Sequence, residues 1–402
     1  MTNRSAPVIV VGGGIVGAVT ASLLDRAGWP VMLVDPGPAP VAPTGDFDLR
    51  VSAVSPGSAA ILGQAGGAGA LQGERACAYR RMVVEDRHPG TRIEFEAPAF
   101  GLERLGTLVE NEAVRAALWQ SLDDVEVVRD RVRSVDGRRG QVTLAGGRDI
   151  EADLVIACDG AGPGVRTLLG ISESTWEYNQ AALVCEVRCQ APNPGTAWQR
   201  FLDTGPLAFL PLASGASSIV WTLPAARARE LADADQASFH AALDDAGGDW
   251  LGGVVSTGPR ATFPLVMRAS DRLAGPGAVL LGDAAHAVHP LAGQGVNLGL
   301  ADAAALVEAL LAARAAGREA DADVLAGWAR QRQSESGLMA RGIHALGGLF
   351  GPGWLGPVRA LGIRAVSASW LARDAFVRRA AGLGPGSPRL ARGATLKSLL
   401  AT

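Results

Sequence analysis

Residues 279–302 read VLLGDAAHAVHPLAGQGVNLGLAD, and the rest of the chain is organised around them. A short apolar run, Ala278 to Leu281, leads through Gly282-Asp283 into a loop and then a long Ala/Leu-periodic helix from about Val296 to Ala316. The pattern predicts strand, loop, helix. Gly293, Gly295 and Gly299 remove side chains where the backbone enters the helix, so a flat ligand could lie against bare peptide. The helix start near Val296 would turn its unpaired N–H groups, with roughly half a positive charge, toward that ligand. Asp283, at the carboxyl end of a strand, is placed to accept hydrogen bonds from a polyol. An ordinary strand-to-helix crossover with a Gly-rich loop is the alternative.

A second glycine-rich turn stands near the start. Pro7 to Val11 reads as a strand closing into Gly12-Gly13-Gly14-Ile15-Val16-Gly17, followed by a helix to about Ala27 and a strand, Val31 to Val34, ending at Asp35. Gly12-x-Gly14-x-x-Gly17 supplies a tight turn, close approach to a pyrophosphate and close helix packing, with Ile15 and Val16 opening the helix. Asp35 follows about 20 residues on, where an acid accepts from an adenosine ribose hydroxyl. This context predicts dinucleotide binding. It leaves open whether the dinucleotide is NAD or FAD.

Composition narrows the class. The chain has 402 residues, 48% hydrophobic and 19% charged, with a net charge of −3, which suits a soluble globular protein of two or three domains and no nucleic-acid partner. The only lysine is Lys397, so a P-loop, a pyridoxal Schiff base and a catalytic lysine in the body of the protein are excluded. Cys77, Cys158, Cys185 and Cys189 form no Cys-x-x-Cys pair and have no histidine at metal-ligand spacing, so we expect no metal, no disulfide and a reducing compartment. No signal pattern and no uninterrupted run of ~18 apolar residues occurs, which predicts a cytoplasmic protein that is neither secreted nor membrane-spanning. From Leu338 onward eight arginines and Lys397 face a single acid, Asp374, making the C-terminus a basic appendage on an acidic body.

Between the two glycine-rich blocks, Arg50 in the FDLRVSA stretch is a candidate phosphate or ring contact, and Asn111 opens a helix to about Leu122. The buried strand Asp153 to Asp159 ends in DGAGPGVR, where Asp159 and Arg166 could serve a pyrophosphate or second nucleotide, or Asp159 could only cap the helix Val165 to Leu169. Alternating strands then run from Trp176 to Leu273, with a helical piece at Arg227 to Leu243, predicting a mostly antiparallel sheet. Its Phe201, Phe209, Leu210, Trp221 and Phe263 form either an apolar substrate wall or simply core.

The blocks GGGIVG with Asp35, CDGAGPGVR and LLGDAAHAVHPLAGQGVNLGLADAAAL, in this order, resemble the class A flavoprotein monooxygenases. FDLRVSAVSP, SIVWTLP, FPL at Phe263 to Leu265 and the QGVNLGLADA wording are similar to the ubiquinone-biosynthesis hydroxylases within that group. The resemblance implies an α/β protein of the para-hydroxybenzoate hydroxylase type, a Rossmann-like FAD-binding domain with an inserted, mostly antiparallel substrate domain. We expect an FAD-binding first part at 1–175 with inserted strands about 77–105, a substrate sheet at 176–273 and an FAD-binding second part at 274–337. Basic C-terminal helices at 338–381, with a last helix at Val358 to Ala380, and a flexible tail at 382–402 would follow.

By the same resemblance Gly12, Gly14 and Gly17 hold the FAD pyrophosphate, Asp35 the adenosine ribose and Asp283 the ribityl chain. Pro290 and the backbone of Gly293, Gly295, Val296 and Asn297 border the isoalloxazine, Arg50 contacts the flavin, and Asn111 matches a polar residue near the pyrophosphate. The family's middle motif usually continues with Asn and Ser where Gly162 and Pro163 stand, although Asp159 and Arg166 match. His286 and His289 lie in the flavin loop, where one could relay a proton or both could be structural.

The implied reaction has NAD(P)H reduce bound FAD, O2 add to it as a hydroperoxide, and the distal oxygen pass to an aromatic ring carbon. The implied substrate is a lipid-tailed phenol, with the basic C-terminus as a candidate peripheral contact to the inner membrane face, and with membership of a ubiquinone-biosynthesis complex as a further candidate. Competing readings are a hydroxylase of a soluble aromatic acid or polyketide, and a non-catalytic flavin-binding subunit.

Overall fold

The computed structural model describes residues 6–87, 92–162, 164–287, 294–335 and 369–401. Four-residue, fully buried apolar strands form its centre: Val8–Val11, Val31–Val34 and Leu154–Ala157. Continuous apolar runs of this kind are what a parallel sheet covered on both faces requires. They stand in a six-stranded sheet whose order is Ala274–Gly275, Ala278–Leu280, Leu154–Ala157, Val8–Val11, Val31–Val34, Glu126–Val128. Every pairing is parallel except the edge pair Ala274–Gly275 with Ala278–Leu280. The strand quoted first in the sequence therefore neighbours Leu154–Ala157, and both glycine-rich turns leave the same sheet at its carboxyl edge, where ligands of open α/β sheets bind.

A second, nine-stranded sheet lies beside it. Its long strand Glu173–Cys189 pairs antiparallel with Ser217–Pro224, Val254–Thr257 and Ala261–Ser270. Strand parity separates the faces. Leu183, Cys185 and Val187 point to a core covered by the helices Ala225–Asp233 and Gln236–Gly247, while Ala182 and Val184 face Leu49, Val220, Phe263 and Leu265 on the other side. The expected single helical piece is thus two helices, because Asp235 caps the second by accepting from Ser238 N–H at 2.8 Å. The inserted strands Arg81–Asp86 and Arg92–Glu96 also belong to this sheet, joined through the parallel pairing of Arg81–Asp86 with Thr196–Leu202. At its far edge the two-residue strand His286–Ala287 pairs with Arg268 and Ala269, stitching the Gly282-Asp283 turn to the second sheet.

The helix Gly295–Ala315 is long and apolar enough to cross a bilayer on length and composition alone, but 72% of its most apolar 18-residue window is buried. Its apolar surface is spent on the core, with Leu300, Ala303, Leu306 and Val307 fully enclosed.

Two C-terminal expectations need correction. The last helix does not run unbroken from Val358: Ser369, in extended conformation, accepts from Ala372 N–H and starts the helix at Trp370–Ala380. Residues 336–368 lie outside the described residues. Val377 packs with Ile93, Phe95 and Phe100, and Arg373 donates to the Glu94 carbonyl at 2.6 Å, so this helix docks on the inserted strands.

The tail beyond it is not loose. Leu390, Leu396 and Leu399 join the core of the first domain, Leu390 N–H donates to Glu308 Oε1 at 2.8 Å, and Leu396 N–H to Gln64 Oε1 at 2.9 Å. Its Gly/Pro/Ser-rich composition concealed three leucines that the fold uses. Leu390→Ala is expected to cost about 2–5 kcal/mol, read as a lower urea midpoint with unchanged slope.

Candidate FAD and substrate site

At the carboxyl end of Val8–Val11 the chain turns on Gly12, whose φ of 101° is strained for any other residue. A Cβ there would lie 2.4 Å from the Cys158 carbonyl oxygen. Gly17 lets the helix Ile15–Arg26 cross that turn, since a Cβ on it would fall 1.8 Å from the Gly12 oxygen. Gly14 differs. A Cβ there would meet nothing within 4 Å, and Gly14 caps the helix with no side-chain hydrogen bond. Open space above unpaired helix N–H groups is what a pyrophosphate fills.

Asp35 accepts from Gly13 N–H at 2.5 Å and Gly37 N–H at 2.8 Å, one bond per oxygen, so each oxygen keeps capacity for a ribose hydroxyl. Beside it stand residues that the sequence did not reveal. Arg115 Nε and Trp119 Nε1 both donate to the Gly13 carbonyl, at 2.8 and 2.9 Å, and Arg129 lies 4.4 Å over the Trp119 ring. They come from the helix Asn111–Trp119 and the loop after Glu126–Val128, and no spacing ties them to the glycine turn.

The two glycine-rich segments meet at Val16. A Cβ on Gly299 would come 2.5 Å from Val16 Cγ2 and 3.2 Å from Gly282 Cα. Gly282, at φ 57°, turns the chain so that Asp283 opens into the cleft. Asp283 accepts no hydrogen bond among the described residues. A Cβ on Gly295 would lie 3.9 Å from its Oδ1, which sets the carboxylate beside the first turn of the helix Gln294–Ala315. The carboxylate is exposed, yet desolvation by the surrounding protein pushes its pKa up, and the nearby His286 opposes that rise.

Other expected site residues have structural duties. Asn297 is buried, with its side chain accepting from Ser55 N–H at 3.0 Å and donating to the Ala53 carbonyl at 2.8 Å, so only its backbone can face a ligand. Asp159 Oδ2 accepts from Val165 N–H at 2.7 Å, the helix-starting role, while burial raises its pKa. Arg166 is buried and occupied by Glu173 at 2.9 Å and the Ala284 carbonyl at 3.3 Å. It braces the Asp283 turn instead of facing a second nucleotide.

Arg50 is exposed, 5.7 Å from the Phe263 ring, where the first domain meets the apolar face of the large sheet. Its loop is pinned by the buried Glu110, which pairs with Arg75 and accepts from Asp48 N–H at 2.7 Å. Asn111 accepts from the Ser52 hydroxyl at 2.6 Å, next to this loop. His289, Pro290 and Gly293 lie outside the described residues.

A further cluster lies beneath the turn. Asp302, fully buried, contacts His286 Nε2 at 2.8 Å and Arg332 Nε at 2.7 Å, and accepts from Gly282 N–H at 3.3 Å. A lone acid in the otherwise apolar stretch GLADAAAL was the available signal, since a buried carboxylate needs partners.

A parallel nucleotide sheet sharing its cleft with the apolar face of a large antiparallel sheet is the architecture of the FAD-dependent aromatic monooxygenases. Residues 5–337 match the FAD binding domain family. The chain is 36% identical to the 3-demethoxyubiquinol 3-hydroxylase of Escherichia coli, over 85% of this chain and 89% of that protein. It is 34% identical to the ubiquinone hydroxylase UbiL of Rhodospirillum rubrum, over 98% and 94%. Pseudomonas aeruginosa PqsL, solved in complex with 2-aminobenzoylacetate, superposes with a TM-score of 0.72 at 26% identity, covering 90% of this chain and 100% of that one. This chain belongs to the ubiquinone-biosynthesis hydroxylase family of FAD-dependent monooxygenases, enzymes that use NAD(P)H as co-substrate.

Proposed function

We propose that this enzyme hydroxylates an aromatic ring carbon of a polyprenylated phenol in ubiquinone biosynthesis. The observation that carries this reading is the 36% identity, across 89% of its length, to an Escherichia coli protein named for hydroxylating demethoxyubiquinol. The apolar face formed by Ala182, Val184, Val220, Phe263 and Leu265 agrees with it, being a dry wall for a ring and the start of an isoprenoid tail.

In this reading Gly12, Gly14 and Gly17, with Ile15 and Val16, carry the FAD pyrophosphate, Asp35 the adenosine ribose and Asp283 the ribityl hydroxyls. The backbone of Gly295, Val296 and Asn297, with Gly293 and Pro290, borders the ring, and the helix start there favours negative charge on it. Arg50 and Asn111 line the loop above, Asp159 supports the pyrophosphate turn from behind, and His289 is the proton-relay candidate. FAD, when bound, would take a hydride from NAD(P)H and activate O2, one oxygen atom of which would go to the ring carbon while the other leaves as water. What the chain contributes is position and the exclusion of water from the ring.

The test is NAD(P)H oxidation by purified holoenzyme with a prenylated phenol and with a small soluble phenolic acid, with product mass measured. A one-oxygen gain on the prenylated ring is expected. Turnover of the soluble acid alone, or of neither, overturns the proposal.

Location follows from the same reading. We infer that the basic C-terminal region rests on anionic lipid. Trp370 and Leu371 are 58% and 76% exposed on the docked helix, which also carries Arg378 and Arg379. Flotation with anionic vesicles that is lost at high salt supports this contact. Absent or salt-insensitive flotation refutes it.

A further inference from the structure

The cluster beneath the FAD turn does more than fill space. Asp302 and Glu335 are two carboxylates that share one guanidinium, Arg332, which is 1% exposed. A buried carboxylate such as Asp302 is costly unless compensated. Among the described residues His286, itself buried, is its second basic contact. Its Nε2 lies 2.8 Å from Asp302 Oδ2, an ion-pair contact between two buried side chains. Asp302 accepts Gly282 N–H with the same oxygen that contacts His286, so the cluster grips the backbone of the FAD turn directly.

We propose that His286 is a positioning residue for FAD: held as an imidazolium against Asp302, it keeps the Gly282-Asp283 turn closed on the ribityl chain. The inference rests on the assignment of the ribityl chain to Asp283. The groups around His286 are Asp302 from the long helix, Arg332 and Glu335 from the helix 322–335, and Asp283 from its own turn. Beyond them, Arg166, Glu173 and Arg268 form a further chain of ion pairs on the sheet side. Burial alone would push the imidazole pKa down; the Asp302 carboxylate overrides this, and the net direction is up. For a group raised on folding, the grip is complete below the ordinary histidine value of about 6.5 and is lost as pH rises through the higher folded value.

The experiment is FAD affinity, from flavin fluorescence, against pH for the intact chain and for His286→Asn, Asp302→Asn and Asp283→Ala. Wild-type affinity should hold at acid-neutral pH and fall by about ten-fold or more at alkaline pH. His286→Asn and Asp302→Asn should start weaker and lose most of that dependence. If either variant fails to fold, 13Cε1 resonances of the wild-type histidines decide the question. A His286 titration above about 6.5 that coincides with flavin release supports the proposal, and one at or below that value overturns it. Parallel pH curves for wild type and His286→Asn overturn the proposal alone, whereas full FAD retention by Asp283→Ala overturns it together with the assignment beneath it.

Discussion

Gly17→Ala is expected to be severely damaging. The added carbon would lie 1.8 Å from the Gly12 carbonyl oxygen, a backbone atom, so no side-chain movement relieves it. The turn it strikes is itself tightly held, since Gly12 packs against the Cys158 carbonyl and the Asp159 Cα closely enough to exclude a Cβ of its own. The helix Ile15–Arg26 must therefore lift from the sheet, breaking its contact with Gly282 and Gly299 through Val16. A loss of about 4 kcal/mol or more, seen as a collapsed thermal transition or insoluble protein, is expected. Gly14→Ala is the control. It has open space on every side, so the unliganded fold should melt normally while FAD affinity falls. Equal melting losses in both variants would contradict this division between packing and cofactor space.

Asp283→Ala should give colourless protein that still folds. The side chain accepts no hydrogen bond among the described residues and opens to the cleft, so removing it costs the fold little. Each charge-assisted hydrogen bond it would make to a ribityl hydroxyl is worth about 1.5–3 kcal/mol. Two such bonds correspond to about a hundred-fold or more in affinity. Circular dichroism should be unchanged while absorbance near the flavin bands is lost. Retention of stoichiometric FAD would remove Asp283 from the site.

Much of this was legible in the sequence because it follows from local rules. Buried parallel strands read as unbroken apolar runs, Gly12 and Gly17 as positions where only hydrogen fits, and Glu173–Cys189 as alternation. What stayed hidden depends on contacts between distant segments. The side chains of Asn297 and Arg166 look available in a motif, but they are committed to Ala53, Ser55, Ala284 and Glu173. Nothing local announces this. Arg115 and Trp119 reach Gly13 from a helix whose pattern shows only its amphipathic period. The tail misled because turn-forming residues dominate its composition, while the three leucines that anchor it are too few to set a period.

The strand Ala278–Leu280 has a consequence for how the protein is made. It completes the central sheet by pairing with Leu154–Ala157, and Leu300 and Leu306 of the helix after it seal that sheet's core. A ribosome has therefore synthesised the first two-thirds of the chain, including nearly all of the second sheet, before the nucleotide fold can close. Until then Leu154–Ala157 waits with one edge unpaired, and contacts of such long sequence separation form slowly. The nascent FAD domain is the part most in need of a chaperone, and flavin supply during synthesis should raise the yield of soluble protein.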